Sequence, residues 1–255
     1  MVEIPVLYSF ARSGGTLVNQ LLGVHPQCLV LSEVNPTASF KSIQKQGLEW
    51  LGLIEKSYTN KFVSMPYHEQ IKFLYDQSTG KGKKLIIRDW VSVNFLPGCS
   101  GPEIKPSGEL EQAFYLGRSD LRPLPLVIVR KGEAVYKSIQ RNLPRMEGLS
   151  LKTFSESYLK YAYAVAEFPK IKLESLRSQP ASTIREILNR FDLSSDETSF
   201  LLENFFNFKN CTGNTSLKKV SKSSLAQKIL PPENNIESTS HPKLIEANKI
   251  LGYDK

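Results

Sequence analysis

At several places the sequence sets residues able to hold an anion or take a proton directly after an apolar run. Ile4 to Phe10 leads into Arg12-Ser13-Gly14-Gly15-Thr16. Leu29 to Leu31 leads into Ser32-Glu33, Leu85 to Ile87 into Arg88-Asp89, and Leu124 to Val129 into Arg130. A guanidinium offers a planar fork of donors that fits a tetrahedral oxyanion. Glycines let successive backbone N–H groups turn toward one point. Glu33 is of the opposite kind: a carboxylate at the rim of an anion site is electrostatically awkward unless it has work to do there, such as accepting a proton.

The elements that must position these groups are strands and the helices that follow them. After the first glycine turn the hydrophobic period changes, and Leu17, Leu21 and Leu22 fall on one helical face. Strand, glycine turn and helix aim a helix N-terminus at the loop, where an anion is favoured. Laid on the Walker pattern G-x-x-x-x-G-K-[ST], the turn places Ser9 at the first glycine, Gly14 at the second, Gly15 at the lysine and Thr16 at the hydroxyl. The lysine is missing, which argues against ordinary ATP hydrolysis, and a cation stands earlier at Arg12. After Arg130 a helix is expected from Gly132 or Glu133, with Ala134, Ser138 and Arg141 on one face. Arg130 and Ser138 are then able to converge on a second anion, with Arg141 beside them, although the stretch taken alone reads better as a capped, solvated helix. Residues 37 to 80 read as mostly helical, with one helix from about Pro66 to Gln77. The Pro- and Gly-rich stretch 97–125 reads as a long irregular excursion, a candidate lid or substrate loop. Phe154 to Phe168 reads as a helix whose stripe Tyr158, Tyr161, Ala162 and Val165 is core. Pro169 to Leu176 reads as a strand, Pro180 to Phe191 and Ser195 to Phe208 as helices, and the basic stretch after Gly213 as a solvated loop.

Composition bounds the partners. The chain has 255 residues, 40% of them hydrophobic, which suits one α/β domain spanning 1–255. There are 33 basic and 25 acidic residues, a net charge of +8, which favours an anionic partner. The basic residues are spread along the chain, with no arginine-rich tail, so a compact anion pocket is better supported than a nucleic-acid groove. Cys28, Cys99 and Cys211 are far apart and odd in number, and form neither a CxxC pair nor a disulfide framework. No leader-like segment and no apolar run of membrane-spanning length is evident. The expectation is a soluble, cytoplasmic protein with free thiols; the sequence is silent on oligomeric state.

The ordered set of motifs resembles the sulfotransferases that use 3′-phosphoadenosine 5′-phosphosulfate, in particular their bacterial-type branch. The matching residues are Phe10 to Thr16 with the Leu21-Leu22 helix, His25-Pro26, Ser32-Glu33, Arg130 with Ser138, and Lys172-Leu-Glu174-Ser-Leu176 followed by Pro180 and a helix to Phe191-Asp192-Leu193. The match runs through most of the chain and is weakest between 37 and 125. It departs from the family at Gly15, where many members have Thr or Ser, at Arg130-Lys131-Gly132 in place of R-D-P, and at Lys172-Leu173 in place of Arg-Tyr.

The resemblance implies a single domain with a mostly parallel sheet flanked by helices, a P-loop-NTPase-like fold. It implies that Arg12, Ser13, Gly14, Gly15, Thr16 and Leu17 bind the 5′-phosphosulfate, that Arg130 and Ser138 bind the 3′-phosphate, and that Lys222 belongs to a late loop covering the nucleotide. Glu33 matches the glutamate that some branches use as catalytic base; others use a histidine at a later strand end, a place Asp89 or His68 would take here. No metal is required. The acceptor, a carbohydrate, lipid or small-molecule hydroxyl or amine, is left open. In-line sulfuryl transfer would use Glu33 for the proton, with Arg12, Arg88 and the loop N–H groups countering charge in the transition state. The competing readings are a P-loop-like small-molecule kinase and a non-enzymatic nucleotide- or nucleic-acid-binding module.

Overall fold

In a computed structural model, which describes residues 1–39, 41–99, 101, 105–213 and 241–253, the apolar runs become a five-stranded sheet. Its strands are β1 (Val2–Ser9), β2 (Cys28–Val34), β3 (Lys84–Asp89), β4 (Leu121–Val129) and β5 (Lys170–Lys172). Their order is β2-β3-β1-β4-β5, and every pairing is parallel. A parallel sheet needs both faces covered. Leu7, Val30, Ile86 and Ile128 meet α1 (Gly15–Gly23) on one face, whereas Val6, Tyr8, Ile87 and Val129 belong to the core on the other. That second core takes Ile71 and Leu74 from α2 (Tyr67–Gly80), Val135 and Ile139 from α3 (Gly132–Asn142), and Tyr158 and Tyr161 from α4 (Leu151–Ala164). Leu244 and Ala247 complete it, from the helix Pro242–Ile250. The core role expected for the Tyr158 stripe is what the structure shows: Tyr158, Ala162 and Val165 are 0% exposed.

The chain turns outward from β1 to β2 and β3 on one side, then crosses to β4 and β5 on the other. The switch point lies between β1 and β4, the place where open α/β sheets bind ligands beyond their strand ends. Arg12 follows β1 and Arg130 follows β4, so the topology sets both beside that crevice.

Two expectations are corrected. The excursion 97–125 is not irregular throughout: a short helix occupies Glu111–Leu116, and β4 already begins at Leu121. Pro123 and Pro125 misled because proline cannot donate to a ladder. They pair in register with Ile4 and Val6, yet share the parity of Val127, whose N–H donates to Pro169 O on the β5 side. Both missing donors therefore face an edge where β5 has not yet begun. The strand expected over Pro169 to Leu176 is only three residues long, and Leu173–Ser178 is helical. Among the described residues, no helix is long and apolar enough to cross a membrane.

Candidate active site

The loop after β1 is held in a conformation that its side chains must tolerate. Arg12 has φ 67°, a left-handed value that costs a non-glycine residue free energy and marks functional turns. Gly14, at φ 98°, is the N-cap of α1, and no side chain caps the helix. The first-turn N–H groups are therefore left to face whatever lies beyond the helix end. A Cβ on Gly14 would meet Leu173 at 2.4 Å, and one on Gly15 would meet Ser9 Oγ at 2.0 Å. The absent Walker lysine thus has a steric counterpart: a serine fills the first-glycine position and occupies the space a side chain at 15 would need. The loop is anchored from outside by the Ala11 N–H, which donates to Ser92 Oγ at 2.6 Å.

Beyond this loop lies a cavity of about 540 Å³, lined in part by Arg12, Gly14, Gly15, Thr16, Leu17, Glu33, Arg88 and Arg130. Most of the residues singled out from sequence therefore share one cavity. Ser13 is fully buried and does not line it, and Ser138, also outside the lining, meets the lining residues Arg12 and Asn142. Arg141 is exposed and His68 is not among the lining residues. Lys222 lies outside the described residues.

Arg88 is the hub at the loop. It is 5% exposed. Nη2 donates to Glu33 Oε1 at 2.7 Å and to Thr16 Oγ1 at 3.2 Å; Nη1 donates to Thr212 O at 3.2 Å and to Ser32 Oγ at 3.4 Å. Glu33 reaches this position because the β2–β3 register shifts between Ser32 and Val34, with Glu33 itself at φ 50°. Such a bulge re-aims one side chain at a strand end. At the second position, Arg130 Nη1 donates to Arg12 O at 3.2 Å, and Arg12 Nε donates to Ser138 Oγ at 3.0 Å. The two anion positions expected from sequence are thus joined by Arg12. Burial lowers the Arg12 pKa, and the neighbouring Arg130 charge lowers it further. Two partly buried guanidinium groups held close together favour an anion between them. Arg88 Nε and Arg130 Nε, on two residues that line the cavity, are buried with no hydrogen-bond partner among the described residues, and so is Ser13 Oγ, which does not line it.

Several site residues gave no signal in the sequence. Thr212 meets Ser32 through its N–H at 3.0 Å and its hydroxyl at 2.9 Å, and receives Arg88; the partners are 180 residues apart. Asn142, the last residue of α3, adds a wall with Leu143 and Arg145, and the Arg145 guanidinium lies 5.7 Å from the centre of the Trp90 ring. Cys99 also lines the cavity, but burial pushes its thiol up to about 11, so it stays neutral.

Asp89 serves a different end. Its carboxylate accepts from Asn35 Nδ2 at 2.9 Å, and Asn35 also donates to Asn94 Oδ1 at 2.7 Å. It is 1% exposed. Burial raises its pKa to about 7, opposed by hydrogen bonds from Asn35 and Gln112 and helped by the nearby Glu111 charge. In the unfolded chain the carboxyl ionises near its usual value of about 4. Between that value and about 7 the folded protein binds the extra proton, so stability falls as pH rises across this window and levels off above it. We expect Asp89→Asn to flatten that fall, seen as the denaturation midpoint measured from pH 4 to 8. An unaltered slope would mean that Asp89 is not the group responsible.

Among the described residues, no cluster of His, Cys, Asp and Glu could hold a metal ion. No family model matches the sequence, and no curated protein matches it. Solved structures do match. The sulfotransferase domain from the Synechococcus PCC 7002 olefin synthase superposes with a TM-score of 0.65 at 17% identity, covering 99% of this chain and 95% of that one. The sulfotransferase domain from the curacin biosynthetic pathway gives 0.64 at 14% identity, covering 100% and 99%. The chain has the fold of a sulfotransferase domain. The resemblance read from Arg12 to Thr16, Glu33, Arg130 and Ser138 and the sulfotransferase fold therefore point the same way, although so few residues are shared. On this fold the loop after β1 and the β4–α3 turn follow adjacent strands at the switch point, and the β2 bulge stands across β3 from the loop.

Proposed function

We propose that the protein is a sulfotransferase that takes the sulfuryl group of 3′-phosphoadenosine 5′-phosphosulfate and passes it to a hydroxyl or amine of a small-molecule, carbohydrate or lipid acceptor. The observation that carries this reading is the cavity at the switch point, with Arg88 at one anion position, Arg12 and Arg130 at the other, and the Glu33 carboxylate beside Arg88. The uncapped N-terminus of α1 with Thr16 and Arg88 suits the phosphosulfate end. The Arg130–Arg12–Ser138 group suits the 3′-phosphate. In the transfer, the acceptor oxygen forms a bond to sulfur as the bond from sulfur to the phosphate oxygen breaks, and the acceptor proton passes to Glu33. Arg88 Nη2 meets both Glu33 and Thr16 of the loop, and the guanidinium so placed offsets charge growing on the departing phosphate.

The test is thermal unfolding with 3′-phosphoadenosine 5′-phosphate against 5′-AMP and ATP. At about a hundred times Kd, a ligand adds roughly 2.7 kcal/mol of stability, so the 3′-phosphorylated compound should raise the melting temperature selectively. Arg130→Ala should remove that selectivity and leave the weaker 5′-AMP response. An equal shift with ATP would move the assignment to a kinase, and no shift with any nucleotide would overturn the nucleotide site.

A further inference from the structure

The turn that carries Arg130 is fastened from behind. Tyr158, on α4, donates its hydroxyl to Arg130 O at 2.6 Å. The Gly132 N–H donates to Asn248 Oδ1 at 2.9 Å. The Tyr253 hydroxyl stands 3.1 Å from Val129 O and 2.6 Å from Glu174 Oε2, and its one proton is divided between them. Asn248 is itself oriented, because its Nδ2 donates to both Glu133 oxygens at 3.0 and 2.9 Å. Both Asn248 and Tyr253 come from the last part of the chain, on or just after the helix Pro242–Ile250. That helix sits close: a Cβ on Gly132 would meet Leu244 at 2.3 Å. None of Tyr158, Asn248 and Tyr253 lines the cavity.

We propose that Tyr158, Asn248 and Tyr253 are positioning residues that clamp the Val129–Gly132 backbone and thereby set the preference for a 3′-phosphorylated nucleotide. The inference rests on the reading of Arg130 as the 3′-phosphate ligand. A loop at a strand end ordinarily leaves its peptide groups to water and moves. Here side chains from remote elements hold successive peptide groups around Arg130, while among the described residues its guanidinium donates to Arg12 O at 3.2 Å. Fixing the backbone confines the swing of the long side chain. A ligand then loses less affinity to ordering it. The clamp acts on one end of the nucleotide only, so its loss is felt by the 3′-phosphate and not by the 5′-phosphate at the β1 loop.

The experiment measures Kd for 3′-phosphoadenosine 5′-phosphate and for 5′-AMP by calorimetry in the parent, Arg130→Ala, Asn248→Ala and Tyr253→Phe. Tyr253→Phe keeps the ring and its packing and removes only the hydroxyl. Loss of one such hydrogen bond should weaken the 3′-phosphorylated ligand about five- to tenfold and leave 5′-AMP unchanged. In an Arg130→Ala background the same substitutions should no longer alter the ratio of the two affinities. Equal weakening of both ligands, or an unaltered ratio, would overturn the clamp. If Arg130→Ala abolishes the preference while Asn248→Ala and Tyr253→Phe keep it, the clamp alone falls. If the parent shows no preference, the 3′-phosphate reading falls with it.

Discussion

Glu33→Gln is expected to bind 3′-phosphoadenosine 5′-phosphate like the parent and to lose turnover by about 10²- to 10⁴-fold, the usual contribution of a positioned proton acceptor. The substitution keeps shape and keeps an oxygen for Arg88 Nη2, which stands 2.7 Å from Glu33 Oε1. It removes the ability to take a proton. Glu33 is suited to that task because it is neither buried nor free. Its side chain is 17% exposed against 6% for Arg88, so one oxygen is fixed while an acceptor can approach the group from the cavity. Steady-state rates with a sulfuryl donor and a competent acceptor, together with calorimetric affinities, separate the two effects. Unchanged turnover would remove Glu33 as the base. Asp89→Asn is the control: Asp89 is 1% exposed and engaged by Asn35, so its loss should not mimic that of Glu33.

What could be read from the sequence was whatever a short stretch determines by itself. β1 and the turn into α1 are written in an apolar run, two adjacent glycines and a change of period, and the structure places α1 at Gly15–Gly23. The helix after Arg130 begins at Gly132, within one residue of expectation. What could not be read depends on contacts distant in sequence. Strand order places Arg12 beside Arg130 and joins them through Ser138, so the two separately inferred anion positions share a guanidinium. The bulge that turns Glu33 toward Arg88 is a property of β2–β3 pairing, and no local pattern signals it. Thr212 sits in a polar stretch with no motif, and matters only because the chain passes back across Ser32 and Arg88. Pro123 and Pro125 show the opposite failure, a strong local breaker made harmless by its place beside an unpaired edge.

The second large effect is expected at Arg88. Its fork joins Glu33 and Ser32 of β2, Thr16 of α1 and Thr212 of the crossing segment, and so ties the base, the anion loop and the cavity wall into one unit. Arg88→Met keeps much of the side-chain volume and removes the charge. It leaves the Glu33 carboxylate mostly buried without its cation, and breaking one side of such a pair costs about 3–5 kcal/mol. Because Glu33 retains some contact with water, a loss near about 3 kcal/mol is expected in the denaturant midpoint. Transfer should fall by about 10²- to 10³-fold, as when a preorganised donor is removed from a developing charge. Arg88→Lys should lie between, since a compact ammonium cannot meet acceptors on several segments at once. The decisive comparison is the double variant Arg88→Met/Glu33→Gln. With no carboxylate left unpaired it should be more stable than Arg88→Met alone, and with the stability of Glu33→Gln completing the cycle the coupling between the two groups follows. If Arg88→Met unfolds at the parental denaturant concentration, the buried fork is not what holds the site together. If the double variant recovers stability but not transfer, the pair was needed for chemistry and the rest of the site can fold without it.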